Sequence, residues 1–130
     1  MAEHFLSYLW ERKITLIVPV PLHSRRKRKR GFNQAEIVAK VLSENTGIAM
    51  DAGAVKRIKA TSPQKELGDK GRKRNIRGAF AVQKNVKGEN IVLIDDIYTT
   101  GSTLDEAARV LKKAGAENVY FLTVSIGQGI

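Results

Sequence analysis

Residues 91–103 read IVLIDDIYTTGST. The first four, 91–94, are all apolar, which is typical of a strand buried on both faces of a parallel sheet. Asp95 and Asp96 follow at the carboxyl end of that strand, where open α/β sheets bind their ligands. Five small or hydroxyl-bearing residues, 99–103, then open a helix. This order predicts an α/β fold with a ligand site directly after a central strand.

The turn that opens this helix has the chemistry of a phosphate site. A helix N-terminus offers free backbone N–H groups and the positive end of the helix dipole. Gly101 lets the backbone approach a ligand closely. Hydroxyl groups can add donors at four positions, Thr99, Thr100, Ser102 and Thr103. Because Asp95 and Asp96 can accept hydrogen bonds from two sugar hydroxyls, one ligand fits the whole stretch: a ribose with a 5-phosphate.

The segment VLIDDIYTTGST closely resembles the phosphoribosyl-pyrophosphate (PRPP) motif of type I phosphoribosyltransferases. The resemblance implies that Asp95 and Asp96 hold the ribose 2- and 3-hydroxyls, and that residues 99–103 cradle the 5-phosphate. The competing interpretation is a strand that ends in surface acids before an ordinary capped helix. A P-loop nucleotide site is not expected, because the pattern G-x-x-x-x-G-K-[ST] is absent from the chain.

The composition indicates a single globular domain. The chain has 130 residues, 42% of them hydrophobic, and a net charge of +10 that favours polyanionic partners. There is no Cys and there are only two His, so disulfides and a zinc site are not expected. The start, MAEHF, lacks the basic character of a signal peptide, and the longest apolar run contains two prolines. We therefore expect a cytoplasmic protein without membrane insertion.

Hydrophobic periodicity predicts a mostly parallel central sheet flanked by helices. An N-terminal helix over about 2–12 carries an apolar stripe, and an exposed Trp10 in it would mark a protein contact. A second helix follows Asn33 and ends before Gly47, and a third ends at Gly115. The predicted buried face of the second helix consists of Ile37, Val38, Val41 and Leu42. That of the third helix consists of Leu104, Ala107, Ala108 and Leu111. Strands are predicted at 14–20, 54–58, 79–82 paired with 91–94, and 119–126 as a buried final strand.

Two segments hold 15 of the 23 basic residues. Residues 25–30 are six consecutive basic residues that follow the first strand, at the same sheet edge as the Asp pair. Residues 56–77 contain nine basic residues and two acids, and we expect a mobile basic loop over about 59–77. Both segments are placed to meet a diphosphate or a nucleic-acid backbone, although solvated basic loops without a role would look the same.

The basic segments narrow the resemblance to the ComF (ComFC/GntX-like) family. VPVPLHSRRKRKRGFNQAE and TSPQKELGDKGRKRNIRGAF occur there together with the PRPP motif, and the likeness covers residues 17–126. It implies a single type I phosphoribosyltransferase-like domain that binds PRPP with Mg²⁺, which Asp95 or Asp96 would hold directly or through water. The remaining implied roles are pyrophosphate binding by His23, Arg25 and Arg26, catalysis by Arg72 and Arg74 with the Asp pair, and loop positions Gln64 and Asn75.

Three functional hypotheses follow. The first is phosphoribosyl transfer from PRPP to an acceptor that the sequence does not identify. The second is a non-catalytic protein that binds PRPP and single-stranded DNA during DNA uptake. The third is a domain of a larger assembly, in which the N-terminal helix and the basic arm contact a protein partner. Many ComF proteins carry a Cys-rich zinc module before this domain, and this sequence contains no Cys.

Overall fold

The computed structural model describes residues 2–21, 34–58, 77–96 and 101–124. Three helices and six strands lie in these ranges: α1 (Ala2–Glu11), β1 (Leu16–Pro19), α2 (Gln34–Thr46), β2 (Ala49–Met50), β3 (Val55–Arg57), β4 (Phe80–Val82), β5 (Asn90–Asp96), α3 (Gly101–Lys113) and β6 (Asn118–Val124). None of these helices combines the length and the apolar character that a membrane-spanning helix needs.

The main sheet has four strands in the order β2-β1-β5-β6, and every neighbouring pair is parallel. Leu16 of β1 lies opposite Ile91 of β5, and Asn90 of β5 lies opposite Asn118 of β6. The predicted parallel sheet with flanking helices is confirmed. Since all four strands run the same way, their carboxyl ends lie at one edge of the sheet, and α2 and α3 both start from that edge.

The predicted pairing of 79–82 with 91–94 is wrong. β4 instead pairs antiparallel with β3 in a separate two-stranded sheet, with Val82 opposite Val55. The reason is that β5 already has β1 on one side and β6 on the other, so it has no free edge for a third strand. The turn between β4 and β5 therefore carries the chain from one sheet to the other.

Both faces of β5 are buried, which explains its unbroken apolar run. Ile91 and Leu93 pack with Leu104, Ala107 and Leu111 of α3 and with residues of the β3–β4 sheet. On the other face, Val92 and Ile94 pack with α1 and α2 through Leu9, Ala35, Ala39 and Leu42. The helix face predicted for α3 is confirmed, with Ala108 only partly buried. Layers on both faces are the usual environment of a parallel sheet.

The predicted buried face of α2 is partly wrong. Ala35, Ala39 and Leu42 are buried, whereas Ile37 is 46% exposed and Val41 is 49% exposed. Both sets have helical spacing, so periodicity alone does not choose between them. Two alanines let the α2 backbone lie close to the sheet, and this orientation turns the larger Ile37 and Val41 outward.

The last strand is an edge strand rather than a buried one. β6 pairs with β5 alone in the described part of the chain. Tyr120 and Leu122 are only partly buried, and Phe121 is 39% exposed. An apolar run is therefore not sufficient to place a strand in the middle of the sheet.

Helix α1 is held to the sheet by Leu9, which is fully buried. Tyr8 donates a hydrogen bond to the carbonyl of Phe121 at 3.3 Å and stacks edge-on against Tyr120. Trp10 is 69% exposed, which is the condition set above for a protein contact at this helix. The partner itself stays a prediction.

Candidate functional site

The site begins with the two carboxylates that end β5. Asp95 lies opposite Thr123 and Asp96 lies opposite Val124 of β6. Asp95 is 1% exposed, so its side chain is held inside the fold. β1 pairs with β5 only as far as Ile94, so these acids lie at the carboxyl edge just beyond the end of β1, with β6 beside them. This is the position in which an open parallel sheet presents ligand-binding groups.

Helix α3 starts at Gly101, five residues after β5 ends at Asp96. Gly101 is exposed, and a Cβ placed there would meet no other atom within 4 Å. The backbone at the positive end of the helix dipole is therefore accessible to a ligand. Thr103, the third helical residue, is only 5% exposed. The structure thus places the Asp pair and the start of α3 at the same edge of the sheet.

The end of β1 also reaches this edge. Pro19 lies opposite Ile94, and the Val20 N–H donates to the Ile94 carbonyl at 2.9 Å. Pro19 is the last paired residue of β1, so the strand ends at this proline. Since N–H groups alternate in direction along a strand, the N–H that Pro19 lacks would face β2, which ends at Met50 opposite Ile17. The chain therefore leaves β1 toward residues 25–30 from the edge where Asp95 and Asp96 lie.

Several predicted site residues lie outside the described residues, so their roles stay predictions. They are His23, Arg25, Arg26, Gln64, Arg72, Arg74, Asn75, Thr99 and Thr100. The basic loop expected over about 59–77 also lies outside the described residues, except for Arg77. Ser102 belongs to the first turn of α3.

One charged cluster near this edge was not predicted. Glu106 of α3 is 6% exposed and accepts two hydrogen bonds from Arg109, at 2.8 Å from Nε and 2.7 Å from a terminal nitrogen. It also accepts the Gly78 N–H at 2.9 Å. The spacing of three between Glu106 and Arg109 is a recognisable helical ion pair. Such pairs are usually exposed, so the sequence contains no signal that this one is buried or that it contacts residue 78.

The surroundings of Glu106 favour its charged form. The hydrogen bond from Arg109 is the largest influence and holds the pKa of Glu106 below its ordinary value of 4.5. Burial acts in the opposite direction, whereas the Gly78 N–H and the positive charges of Arg109 and Arg77 lower this pKa further. The same contact raises the pKa of Arg109. The cluster is therefore an ionised pair at neutral pH.

Comparison with known proteins identifies the family. The sequence pattern of the phosphoribosyl transferase domain matches residues 7–126. The chain belongs to this family. As a phosphoribosyl transferase domain it has the α/β fold expected from residues 91–103, and the resemblance stated from that stretch is confirmed.

The relatives of this phosphoribosyl transferase domain confirm the resemblance to the ComF family. "DNA utilization protein YhgH" of Salmonella typhi is 43% identical over 103 residues, which are 79% of this chain and 45% of that protein. "Competence protein ComFC" of Bacillus subtilis is 35% identical over 121 residues, which are 91% of this chain and 47% of that protein. The chain thus spans about half the length of the curated relatives that it matches.

A solved structure shows the same fold. The purine phosphoribosyltransferase from Pyrococcus horikoshii superposes on this chain with a TM-score of 0.60. The superposed region includes 95% of this chain and 69% of the chain of that enzyme. The two sequences are 21% identical, so this likeness concerns the fold alone.

Proposed function

We propose that this domain binds PRPP at the carboxyl edge of its parallel sheet. The observation that supports this most strongly is the position of Asp95 and Asp96, which end a central strand five residues before the start of α3 at Gly101. Carboxylates and a helix N-terminus then face one ligand that carries both hydroxyls and a phosphate. Asp95 and Asp96 accept hydrogen bonds from the ribose hydroxyls, and the N–H groups and hydroxyls of 99–103 donate to the 5-phosphate.

Mg²⁺ belongs to this proposal. No cluster of three or more His, Cys, Asp or Glu is placed to hold a metal ion within the described ranges. However, Mg²⁺ is commonly bound through one or two carboxylates together with the phosphates of a substrate. Asp95 and Asp96 fit that mode, directly or through water. When bound, the ion would neutralise part of the charge of the diphosphate.

The reaction that fits this ligand is phosphoribosyl transfer. The bond from ribose C1 to the diphosphate oxygen breaks, the diphosphate leaves with the electron pair, and an acceptor forms the new bond to C1 and gives up its proton to solvent or a base. The acceptor is not identified by the described residues. In this proposal His23, Arg25 and Arg26 bind the diphosphate, and Arg72 and Arg74 stabilise its developing charge. Gln64 and Asn75 lie in the same basic segment, whose role is to enclose the ligand.

Calorimetric titration of Mg²⁺–PRPP tests the site. The variants Asp95→Asn and Asp96→Asn each remove one charged hydrogen-bond acceptor, so each should weaken binding about ten- to a hundredfold. Glu117→Gln is the matched control, since Glu117 is exposed just before β6, at the opposite edge of the sheet. It should bind PRPP as the unchanged protein does. Absence of saturable binding, or full affinity in both Asp variants, would contradict the proposal.

Single-stranded DNA binding is the second candidate, alone or combined with PRPP binding. It is favoured by the net charge of +10 and by relatives named for DNA utilization and competence. A protein of this kind would act in DNA uptake, with the basic segments on the phosphate backbone and a protein partner at α1. Such binding would be driven mainly by phosphates and would depend strongly on salt.

A further inference from the structure

The outer edge of β6 lacks the features that usually protect an edge strand. It is seven residues long, and its register with β5 is continuous. Its sequence, NVYFLTV, contains no charged residue and no proline, which commonly keep a sheet edge from pairing with another strand. Within the described ranges no strand pairs with this edge. Tyr8 donates to the Phe121 carbonyl at 3.3 Å, and a carbonyl oxygen can accept a second hydrogen bond.

The side chains of β6 are apolar on both faces of the sheet. Val119 packs on the core that α3 covers, and Phe121, two residues later on the same face, is 39% exposed. On the opposite face Tyr120 and Leu122 are partly buried, and Tyr8 of α1 meets the Tyr120 ring edge-on. A strand added at this edge would cover side chains on both faces.

The flank of α3 beside β6 carries a charge pattern that is complementary to itself. Asp105, Ala108 and Lys112 are spaced by three and four residues, so they lie along one stripe of the helix. The Lys112 ammonium donates to the Glu117 carbonyl at 2.9 Å, just before β6, which places this stripe on the β6 side. Asp105 and Lys112 are exposed, and Ala108 between them is partly buried. The stripe is therefore acidic at one end, small in the middle and basic at the other end.

This stripe indicates a second copy of the chain as the partner of the edge. Because each copy carries a net charge of +10, two copies repel one another unless the surfaces that meet are neutral or complementary. β6 is neutral. In an antiparallel pair about a two-fold axis, the acidic end of one stripe meets the basic end of the other. Asp105 of each copy then faces Lys112 of the other copy.

The spacing of the strands brings the two α3 helices to a packing distance. α3 shares one core with Leu93 of β5 and Val119 of β6 and contacts both strands, so its axis lies over the gap between them. Neighbouring strands are about 4.8 Å apart, so pairing two β6 strands would separate the two α3 axes by about 9.6 Å. Helices that pack on each other have axes about 8–10 Å apart.

The height of the stripe along β6 indicates the register. Lys112 lies beside Glu117. Ala108 comes four residues earlier on α3, about 6 Å along the helix, which corresponds to about two residues of a strand. Because α3 runs antiparallel to β6, the middle of the stripe lies beside Val119 and Tyr120. A two-fold axis at Tyr120 places Val119 of each copy opposite Phe121 of the other.

We propose that two copies of this chain associate through an antiparallel pair of β6 strands, with their α3 helices side by side, so that two four-stranded sheets become one continuous sheet. An edge about 23 Å long, with a helix layer about 10 Å thick on each face, buries about 1,200 Å² over the two copies, the lower end for stable interfaces. The carboxyl edges of the two sheets lie at opposite ends of this dimer. The inference therefore does not depend on the proposed function.

Sedimentation equilibrium over a series of protein concentrations measures the Kd of the dimer. Asp105→Lys and Lys112→Asp each replace two attractions across the axis by two repulsions, so each should weaken the dimer about tenfold. The two changes together restore opposite charges at both contacts and should return the Kd to within about threefold of that of the unchanged protein. Glu44→Lys makes the same change of charge on the exposed side of α2 and should leave the Kd unchanged.

Phe121→Thr tests the strand separately from the helix. Thr keeps a high strand propensity but removes the exposed ring, so this variant should also weaken the dimer about tenfold. A protein that is monomeric at every concentration would overturn the inference and leave the edge to a different partner. A dimer that none of these variants weakens would overturn it as well, and so would a combined charge variant that dimerises as weakly as the two single ones.

Discussion

At Glu106 a carboxylate stays ionised inside the fold because three N–H groups reach it. Its spacing from Arg109 is visible in the sequence, but its burial and its contact with Gly78 are not. Asp95 shows the opposite case. Its place after four apolar residues already indicates that it ends a buried strand, and the structure has it 1% exposed. Residues in a continuous pattern can thus be interpreted from sequence, whereas contacts across 28 residues depend on packing.

The environment of Glu106 predicts that the stability of the fold depends on pH. Because its pKa is lowered in the folded protein, the carboxylate stabilises the fold at pH values above its ordinary value of 4.5. This contribution should be lost as the pH falls below about 4.5 and through the lowered pKa. Glu106→Gln should therefore lower the free energy of unfolding by roughly 1–3 kcal/mol at pH 7, and the difference should shrink under acid conditions. Urea unfolding at pH 7 and at about pH 3.5 measures it, and a difference that does not change with pH would contradict the assignment.

At the scale of elements, helix ends were easier to predict than helix faces. Gly47 and Gly115 follow α2 and α3 with φ values of +78° and +109°, as their positions in the sequence indicated. The face of α2 was harder, because Ile37 and Val41 have the same helical spacing as the buried Ala35 and Ala39. A glycine after a helix indicates a positive φ at that one residue, which the local sequence can show. A buried face is chosen by the sheet on which the helix lies.

The two glycines should respond differently to alanine. Both have positive φ, which costs a residue with a Cβ about 1–2 kcal/mol. At Gly115 a Cβ would also lie 3.3 Å from the Lys87 Cα, while at Gly47 it would meet nothing within 4 Å. Gly115→Ala should therefore destabilise the protein more than Gly47→Ala, by about 1 kcal/mol or more. Thermal unfolding of both variants measures the difference, and equal losses would mean that the Lys87 backbone moves without cost.

At the scale of the whole molecule, the parallel sheet brings segments that are distant in the sequence to one edge. β1 ends at this edge before residues 25–30, β5 ends there with the Asp pair, and α3 begins there. The corner before β4 is then tied to α3 by Glu106. The two basic segments of the chain are therefore connected to the fold near the proposed anion site. This is the arrangement needed to bind a diphosphate or a nucleic-acid backbone.

The DNA hypothesis belongs to this scale and has a quantitative test. If about six phosphates of a single strand are neutralised, log K against log salt should have a slope of about −4. Replacing Arg25 and Arg26 by Ala removes two of these contacts and should reduce the size of that slope by about 1.4. Fluorescence anisotropy of a labelled oligothymidine over a series of salt concentrations measures both values, with Glu44→Ala as the variant that should change neither. A slope near zero would remove DNA binding as a function of this domain.

Local order along the chain was sufficient to predict the α/β class, the central strand, the acids at its end, the helix that follows and the glycines at helix ends. These features depend on neighbours in sequence, so propensity, periodicity and capping express them directly. The partner of β4, the edge position of β6, the buried face of α2 and the burial of Glu106 required the folded chain. Each of them depends on which surfaces remain free once β1, β5 and β6 have paired, and that competition between distant segments leaves no local pattern in the sequence.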